Sequence, residues 1–231
     1  MMPRPAETLG VIVVAAGVSQ RFGGDKLFRR LGDRPVLAWS LDTLDQAPEV
    51  EAIVLVLNAA NLERGRRLVA RRGYGKIRAI TLGGTRRQDS VWNGLAILDG
   101  VHWVAVHDGA RPFITPDMLA RGLDVARDVG GAVAAVPVKD TIKIIADANL
   151  IERTPDRARV WAAQTPQIFR YDHLVEAYRR CGAIDVTDDA ELMERAGMPV
   201  AVFPGSYENV KITTVEDFEV ARAIARRRRC A

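Results

Sequence analysis

The chain has 231 residues, 48% of them hydrophobic and 27% charged, enough for one domain with a sizeable core and too balanced for a low-complexity chain. No stretch approaches the roughly 20 apolar residues that span a bilayer, and two cysteines, Cys181 and Cys230, make no disulfide framework, so the composition fits a reducing cytoplasm. The net charge of +4 rests on Arg226, Arg227, Arg228 and Arg229, since taking those four from 33 basic residues leaves 29 against 29 acidic ones; read as cations closing a final helix, they make no case for nucleic-acid binding.

LGVIVVAA (9–16) is rich in β-branched residues and nearly uninterrupted, the pattern of a strand buried on both faces of a parallel sheet. The run is too short and valine-rich for a secretory leader, and a polar glycine loop follows it. Asp33 offers an N-cap ahead of Pro35, and Val36, Leu37, Leu41 and Leu44 then line one face of a helix. AIVLVLN (52–58) is the next strand, the arginine-rich stretch 61–72 an exposed helix, and KIRAITL (76–82) a third strand that runs into Gly83-Gly84. A helix over 88–98 carries Val91, Leu95 and Leu98 on one face. HWVAVH (102–107) is a fourth strand, Thr115-Pro116 opens another helix, and GAVAAVPV (131–138) is a fifth strand.

Between 139 and 160 the rhythm changes. TIKII (141–145), a turn at Asp147-Ala148-Asn149 and LIERT (150–154) predict a two-stranded arm. An isolated hairpin is marginal in water, so its isoleucines need a surface, either their own domain or the same arm of a second subunit. Helices at 170–181 and 188–196, strands at 199–203 and 209–213, and a helix at 215–228 complete the chain. With no repeat and no linker, residues 1–231 form one domain. Alternating strands and helices predict an α/β fold with a mainly parallel sheet, right-handed connections, and ligands beyond the carboxyl ends of the strands.

The polar clusters fall just after predicted strands. In AAGVSQRFGGDK (15–26) small residues let backbone N–H groups approach phosphate oxygens, with Arg21 as a planar fork and Lys26 as a compact charge; the glycine spacing fits neither a Walker A loop nor a dinucleotide fingerprint, and a solvated connection is the plain alternative. GGTRRQDS (83–90) can read a base edge, or serve only as a turn and helix cap. In VHDGARP (106–112) Asp108 is a strand-end carboxylate suited to magnesium, while His107 reads better as a packed histidine than as an acid–base catalyst. Thr187 doubles as an N-cap for the following helix. Lys211, inside the apolar pattern NVKIT (209–213), needs an anionic partner if it points inward.

AAG…R…K at 15–26, GG…R…DS at 83–90, VHDGARP at 106–112, KDTIK at 139–143, QTPQ at 164–167, TDD at 187–189 and NVKIT at 209–213 stand in register across the chain. In that order they closely resemble the 2-C-methyl-D-erythritol 4-phosphate cytidylyltransferase family of the non-mevalonate isoprenoid route. The resemblance implies a Rossmann-like nucleotidyltransferase sandwich with a mainly parallel sheet and a protruding β-hairpin arm. It places Ala15, Ala16, Gly17, Arg21 and Lys26 on the phosphates of CTP, and Gly83, Thr85 and Ser90 on cytosine and ribose. Asp108 is assigned to Mg²⁺ and substrate, and Gly109, Arg111, Thr165, Thr187 and Lys211 surround the sugar-alcohol phosphate. Thr141 and Arg157 lie on or near an arm that, in the family, crosses to a partner subunit, which implies a homodimer. Neither nucleic acid nor membrane enters as a partner.

The chain departs from the family pattern at Ser19, where a second glycine is usual, at Asp25-Lys26-Leu27, where Pro-Lys-Gln is usual, and at Thr85, where an acidic residue is common; the phosphate loop is also about a residue shorter. The implied reaction is a direct displacement at the α-phosphorus of CTP by the acceptor's phosphate, with Arg21, Lys26, Arg157 and Lys211 carrying the charge. Three rivals stand beside it: a cytidylyltransferase acting on ribitol 5-phosphate, a nucleotidyltransferase that uses GTP or UTP, and a non-catalytic nucleotide-binding protein on the same fold.

Overall fold

The computed structural model describes residues 7–17 and 20–230. Its strands are β1 (Leu9–Ala15), β2 (Arg30–Leu31), β3 (Arg34–Pro35), β4 (Val50–Leu57), β5 (Ile77–Leu82), β6 (Trp103–Asp108), β7 (Gly131–Pro137), β8 (Ile144–Ile145), β9 (Ile151–Arg153), β10 (Trp161–Arg170) and β11 (Ala201–Pro204). The helices are α1 (Val36–Gln46), α2 (Leu62–Arg72), α3 (Arg87–Leu95), α4 (Pro116–Val129), α5 (Tyr171–Cys181), α6 (Asp189–Arg195) and α7 (Val215–Cys230). Seven strands form one sheet in the order β11-β7-β10-β6-β1-β4-β5. Every pairing in it is parallel except those of β10, which runs antiparallel to both β6 and β7.

Strand periodicity divides the core. Val11 and Val13 of β1 and Ile53 and Leu55 of β4 face α1, α2 and α4, while Ile12, Val54 and Val56 face α3, α5 and α6. Successive side chains of a strand point to opposite faces, so two-sided burial requires the continuous apolar runs seen in the sequence. Each fully buried Leu, Ile or Val on either face contributes on the order of 1.5–3 kcal/mol. A third, smaller cluster joins Phe22, Phe113, Ile212 and the inner face of α7.

Several expectations need correction. Strand β10 lies where the sequence pattern shows only a polar QTPQ cluster; its Gln164, Thr165 and Gln167 are buried and bonded in place. Residues 209–213 form no strand, and Ile212 N–H donates to Ala110 O at 2.9 Å. Asp33 does not cap α1, whose N-cap is Pro35; its carboxylate pairs with Arg34 instead. The N-cap of α6 is Asp188, which accepts from Glu191 N–H, and Thr187 bonds the Glu191 side chain. The Ser19 position lies outside the described residues.

Gly122 of α4 sits against the sheet where a Cβ would lie 2.7 Å from the Phe203 ring and 2.9 Å from Ile168. Both neighbours are fully buried, so neither can swing away. Gly122→Val is expected to cost about 2 kcal/mol of stability through overpacking; an unchanged urea midpoint would contradict this close approach of helix and sheet.

Candidate active site

The carboxyl ends of β1, β5 and β6 converge on a cavity of about 220 Å³. Its wall includes Ala15, Ala16, Gly17, Lys26, Gly84, Thr85, Arg87, Ser90, Asp108 and Lys211. Four cationic side chains, Lys26, Arg86, Arg87 and Lys211, share that wall with one carboxylate, Asp108. Such a surface suits a polyanion.

The loop after β1 presents Lys26 because of its neighbour. Asp25 accepts from Leu27 N–H at 3.2 Å and pairs with Arg64 of α2, which turns its carboxylate away from the cavity. Lys26 stands on the wall. Burial, then Lys211 and Arg21, lower the Lys26 pKa, and this ammonium makes no ion pair among the described residues. Arg21 is exposed and absent from the wall, although near enough to act on Lys26 electrostatically.

Across the cavity, Ser90 Oγ accepts from Gly84 N–H at 3.1 Å and donates to Arg86 O at 3.2 Å, which ties the glycine turn to the first turn of α3. A Cβ on Gly83 would lie 2.4 Å from Ala16 Cβ and 2.6 Å from Ser90 Oγ. Only glycine allows the two loops to approach so closely. Gly83 itself lies behind Gly84, which takes the wall position.

Asp108 is the centre of the charge pattern. Its Oδ2 meets Lys211 Nζ at 2.9 Å and Arg111 Nε at 3.5 Å, and its Oδ1 meets Arg87 Nε at 3.5 Å. Burial alone would raise this carboxyl; Arg87, Lys211 and Arg111 outweigh it and hold the group well below the usual range. Arg87 also donates to Asp189 at 2.7 Å, and Asp189 accepts from Tyr178 OH at 2.8 Å. Spacing alone does not distinguish Arg87 from its neighbour Arg86 in the sequence. Arg86 borders the same wall but pairs with Asp89 and Asp185 instead.

His107 is fully buried behind the site. Its Nε2 lies 3.0 Å from Arg111 O, a carbonyl that can only accept, so Nε2 carries the proton. Nδ1 then accepts from Thr165 Oγ1 at 3.1 Å, and that hydroxyl accepts from Asp108 N–H at 3.0 Å. Thr165 thus positions the Asp108 backbone and leaves His107 no part in proton transfer. Gly109 is buried, with its N–H on Val14 O at 2.9 Å. Arg111 donates to Asn209 O at 2.8 Å, and Asn209 Nδ2 to Thr165 O at 2.8 Å.

Thr187, Thr141 and Arg157, like Arg21, Gly83, Gly109, Arg111 and Thr165, are absent from the cavity wall. Thr187 is exposed ahead of α6. Thr141 is exposed on the arm, and Arg157 donates to Lys139 O at 2.9 Å at the arm's base. No three His, Cys, Asp or Glu side chains come together among the described residues. A divalent ion here would find one protein carboxylate, Asp108, and draw its other oxygens from phosphates and water. That donor set fits Mg²⁺ carried with a nucleotide, not a resident metal caged by protein.

The sequence profile of the 2-C-methyl-D-erythritol 4-phosphate cytidylyltransferase family matches residues 9–227. A relative of that name from Dehalococcoides mccartyi is 46% identical over 224 residues, spanning 96% of this chain and 98% of its own. The crystal structure of 4-diphosphocytidyl-2C-methyl-D-erythritol synthase from Anaerococcus prevotii aligns with a TM-score of 0.86 at 32% identity, covering 96% of this chain and 97% of that one. A 2-C-methyl-D-erythritol 4-phosphate cytidylyltransferase from Thermus thermophilus aligns at 0.77 and 32% identity, over 94% and 98%.

Burial pushes His107 from 6.5 down to about 4. Between those values the unfolded chain binds a proton that the folded one refuses, so stability is full above pH 6.5 and falls as the pH drops towards 4. The shift corresponds to about 3 kcal/mol. Urea titrations of wild type and His107→Gln across this window check it: the variant should lose about 3 kcal/mol less.

Proposed function

The chain belongs to the 2-C-methyl-D-erythritol 4-phosphate cytidylyltransferase family, and from that premise we propose that it transfers CMP from CTP to 2-C-methyl-D-erythritol 4-phosphate, releasing pyrophosphate. It is a nucleotidyltransferase of non-mevalonate isoprenoid synthesis. The observation that carries the reading is the convergence of Lys26, Asp108 and Lys211 on one cavity at the strand ends.

An oxygen of the acceptor's phosphate attacks the α-phosphorus of CTP; the new P–O bond forms as the bond to the β-phosphate oxygen breaks. A phosphate monoester is already nucleophilic, so the protein needs no nucleophile of its own. The obstacle is Coulomb repulsion between two polyanions, at about 1 kcal/mol per charge pair at 4 Å even in water and several times that in a cleft. Positioning and charge neutralisation are therefore the chemistry required.

In this reading the backbone at Ala15, Ala16 and Gly17, with Arg21 and Lys26, holds the triphosphate. Thr85 and Ser90, with Gly84, face the cytosine and ribose, and Gly83 behind them allows the close approach of the two loops. Lys211 and Arg111, kept in place by Asp108, orient the acceptor together with Gly109, Thr165 and Thr187. Mg²⁺ held at Asp108 and the phosphates supplies further neutralising charge when bound.

Thr141 and Arg157 act from the arm on the cavity of a second subunit. Support for this homodimer comes from the absence of both residues from their own cavity wall and from Ile145, Leu150 and Ile151 on the arm, which are 50, 68 and 60% exposed. No helix among the described residues is long and apolar enough to cross a membrane, and we place the enzyme in the cytoplasm.

Pyrophosphate release with CTP and either methylerythritol phosphate or ribitol 5-phosphate tests the reading, which predicts turnover with the first. CTP binding without turnover on either acceptor would favour the non-catalytic rival. Lys26→Ala should lower kcat roughly a hundredfold, the usual loss of one preorganised charge donor; near-normal turnover would refute its role. Lys211→Ala should raise the KM for the acceptor while the KM for CTP stays close to wild type.

A further inference from the structure

Each of three site loops carries an apolar residue beside its functional cation: Phe22 next to Arg21, Phe113 two residues after Arg111, and Ile212 next to Lys211. All three are buried in one cluster with Phe218, Ala221, Ile224 and Ala225 on the inner face of α7. Phe22 and Phe218 meet edge to face at 5.9 Å, and the Arg29 guanidinium lies over both rings, 5.4 and 4.6 Å from their centres. The helix is thus the common wall behind loops that converge from different strands.

Its two ends grip the Lys211 loop directly. At the start, Asp217 Oδ2 accepts from Thr213 N–H at 2.7 Å and Thr214 N–H at 2.8 Å. Towards the close, Arg227 and Arg228 both reach back to Glu208, three residues before Lys211; Arg228 holds Oε2 through Nε at 3.2 Å and Nη2 at 3.1 Å. The same Arg228 guanidinium lies 5.0 Å from the centre of the Phe113 ring. Two cations on one carboxylate, beside an aromatic face, make a clasp of fixed geometry. The arginine run is therefore not merely a solvated helix end.

We propose that α7 is a positioning element for the reaction: Glu208 clasped by Arg227 and Arg228 at one end, and Asp217 at the other, set where Lys211 stands over the cavity. No described residue of the helix lines the cavity. The helix acts through Lys211 first, because the 205–214 segment has no strand ladder: Asn209 and Ile212 tie it to Thr165 and Ala110, and the two grips of α7 fix it on either side of Lys211. The inference rests on the cytidylyl-transfer reading for its kinetic consequence, but the clasp itself is a statement about the loop alone.

Glu208→Ala tests both levels. Hydrogen exchange over residues 206–214 should quicken while the strands stay protected, whether or not the enzyme turns over. In assays the KM for the acceptor should rise about fivefold, the scale of a lost half-exposed charge pair, with the KM for CTP within about twofold. A triple swap, Glu208→Arg with Arg227→Glu and Arg228→Glu, should restore slow exchange and the acceptor KM, which a purely structural role for the helix would not require. Unchanged exchange in Glu208→Ala, equal rises in both KM values, or failure of the swap to restore either readout would overturn the proposal. Absence of turnover in wild type together with quickened exchange in the variant would keep the clasp and sink the proposed reaction instead.

Discussion

Everything at the strand ends depends on one buried carboxylate. Asp108 lies among Lys211, Arg111 and Arg87. Three cations drawn together without it would repel one another and pay for their own desolvation; an anion without them would not stay ionised in a buried position. The cluster is stable because each partner answers the others' charge. It remains net positive, and this leaves the cavity wall with attraction to spare for phosphate.

The scaffold explains why the charges can be held so close. Parallel strands bring β1 and β6 out at the same end of the sheet, and β10 runs backwards between β6 and β7 to deliver Thr165 under Asp108. Hydrogen bonds from Thr165, His107 and Asn209 then fix the floor of the site without exposing a proton donor of their own. Arg87 extends the same network into α6 and α5 through Asp189 and Tyr178. A reaction limited by electrostatic repulsion asks for this kind of rigidity more than for acid–base groups.

The apolar runs made most of this fold legible. Strands at 9–16, 52–58 and 131–138 are readable because two-sided burial leaves few polar residues in a row. Strand β10 was hidden because WAAQTPQIFR carries two glutamines, a threonine and a proline, which become acceptable only once partners from 188–190 and 206–209 are in place. The segment around Lys211 misled in the opposite direction: NVKIT alternates like a strand, yet Asn209 and Ile212 are pinned by side chains and by Ala110 instead of a ladder. Lys26, Asp108 and Lys211 could be picked from motifs, whereas Arg87 and the Glu208 clasp depend on contacts across long stretches of chain that spacing alone does not reveal.

The arm leaves the sheet and rejoins it at a single point. Pro137 of β7 pairs with Trp161 of β10, and Val138 N–H donates to Val160 O at 3.2 Å, so the excursion is closed at its neck by the ladder itself. Nothing in the register of the sheet counts the residues beyond that neck. The molecule is thereby modular: the length, sequence or even the presence of the excursion can vary over generations or by design without disturbing the seven-stranded frame, and chain ends moved to its tip would leave the reaction chamber's foundations where they are.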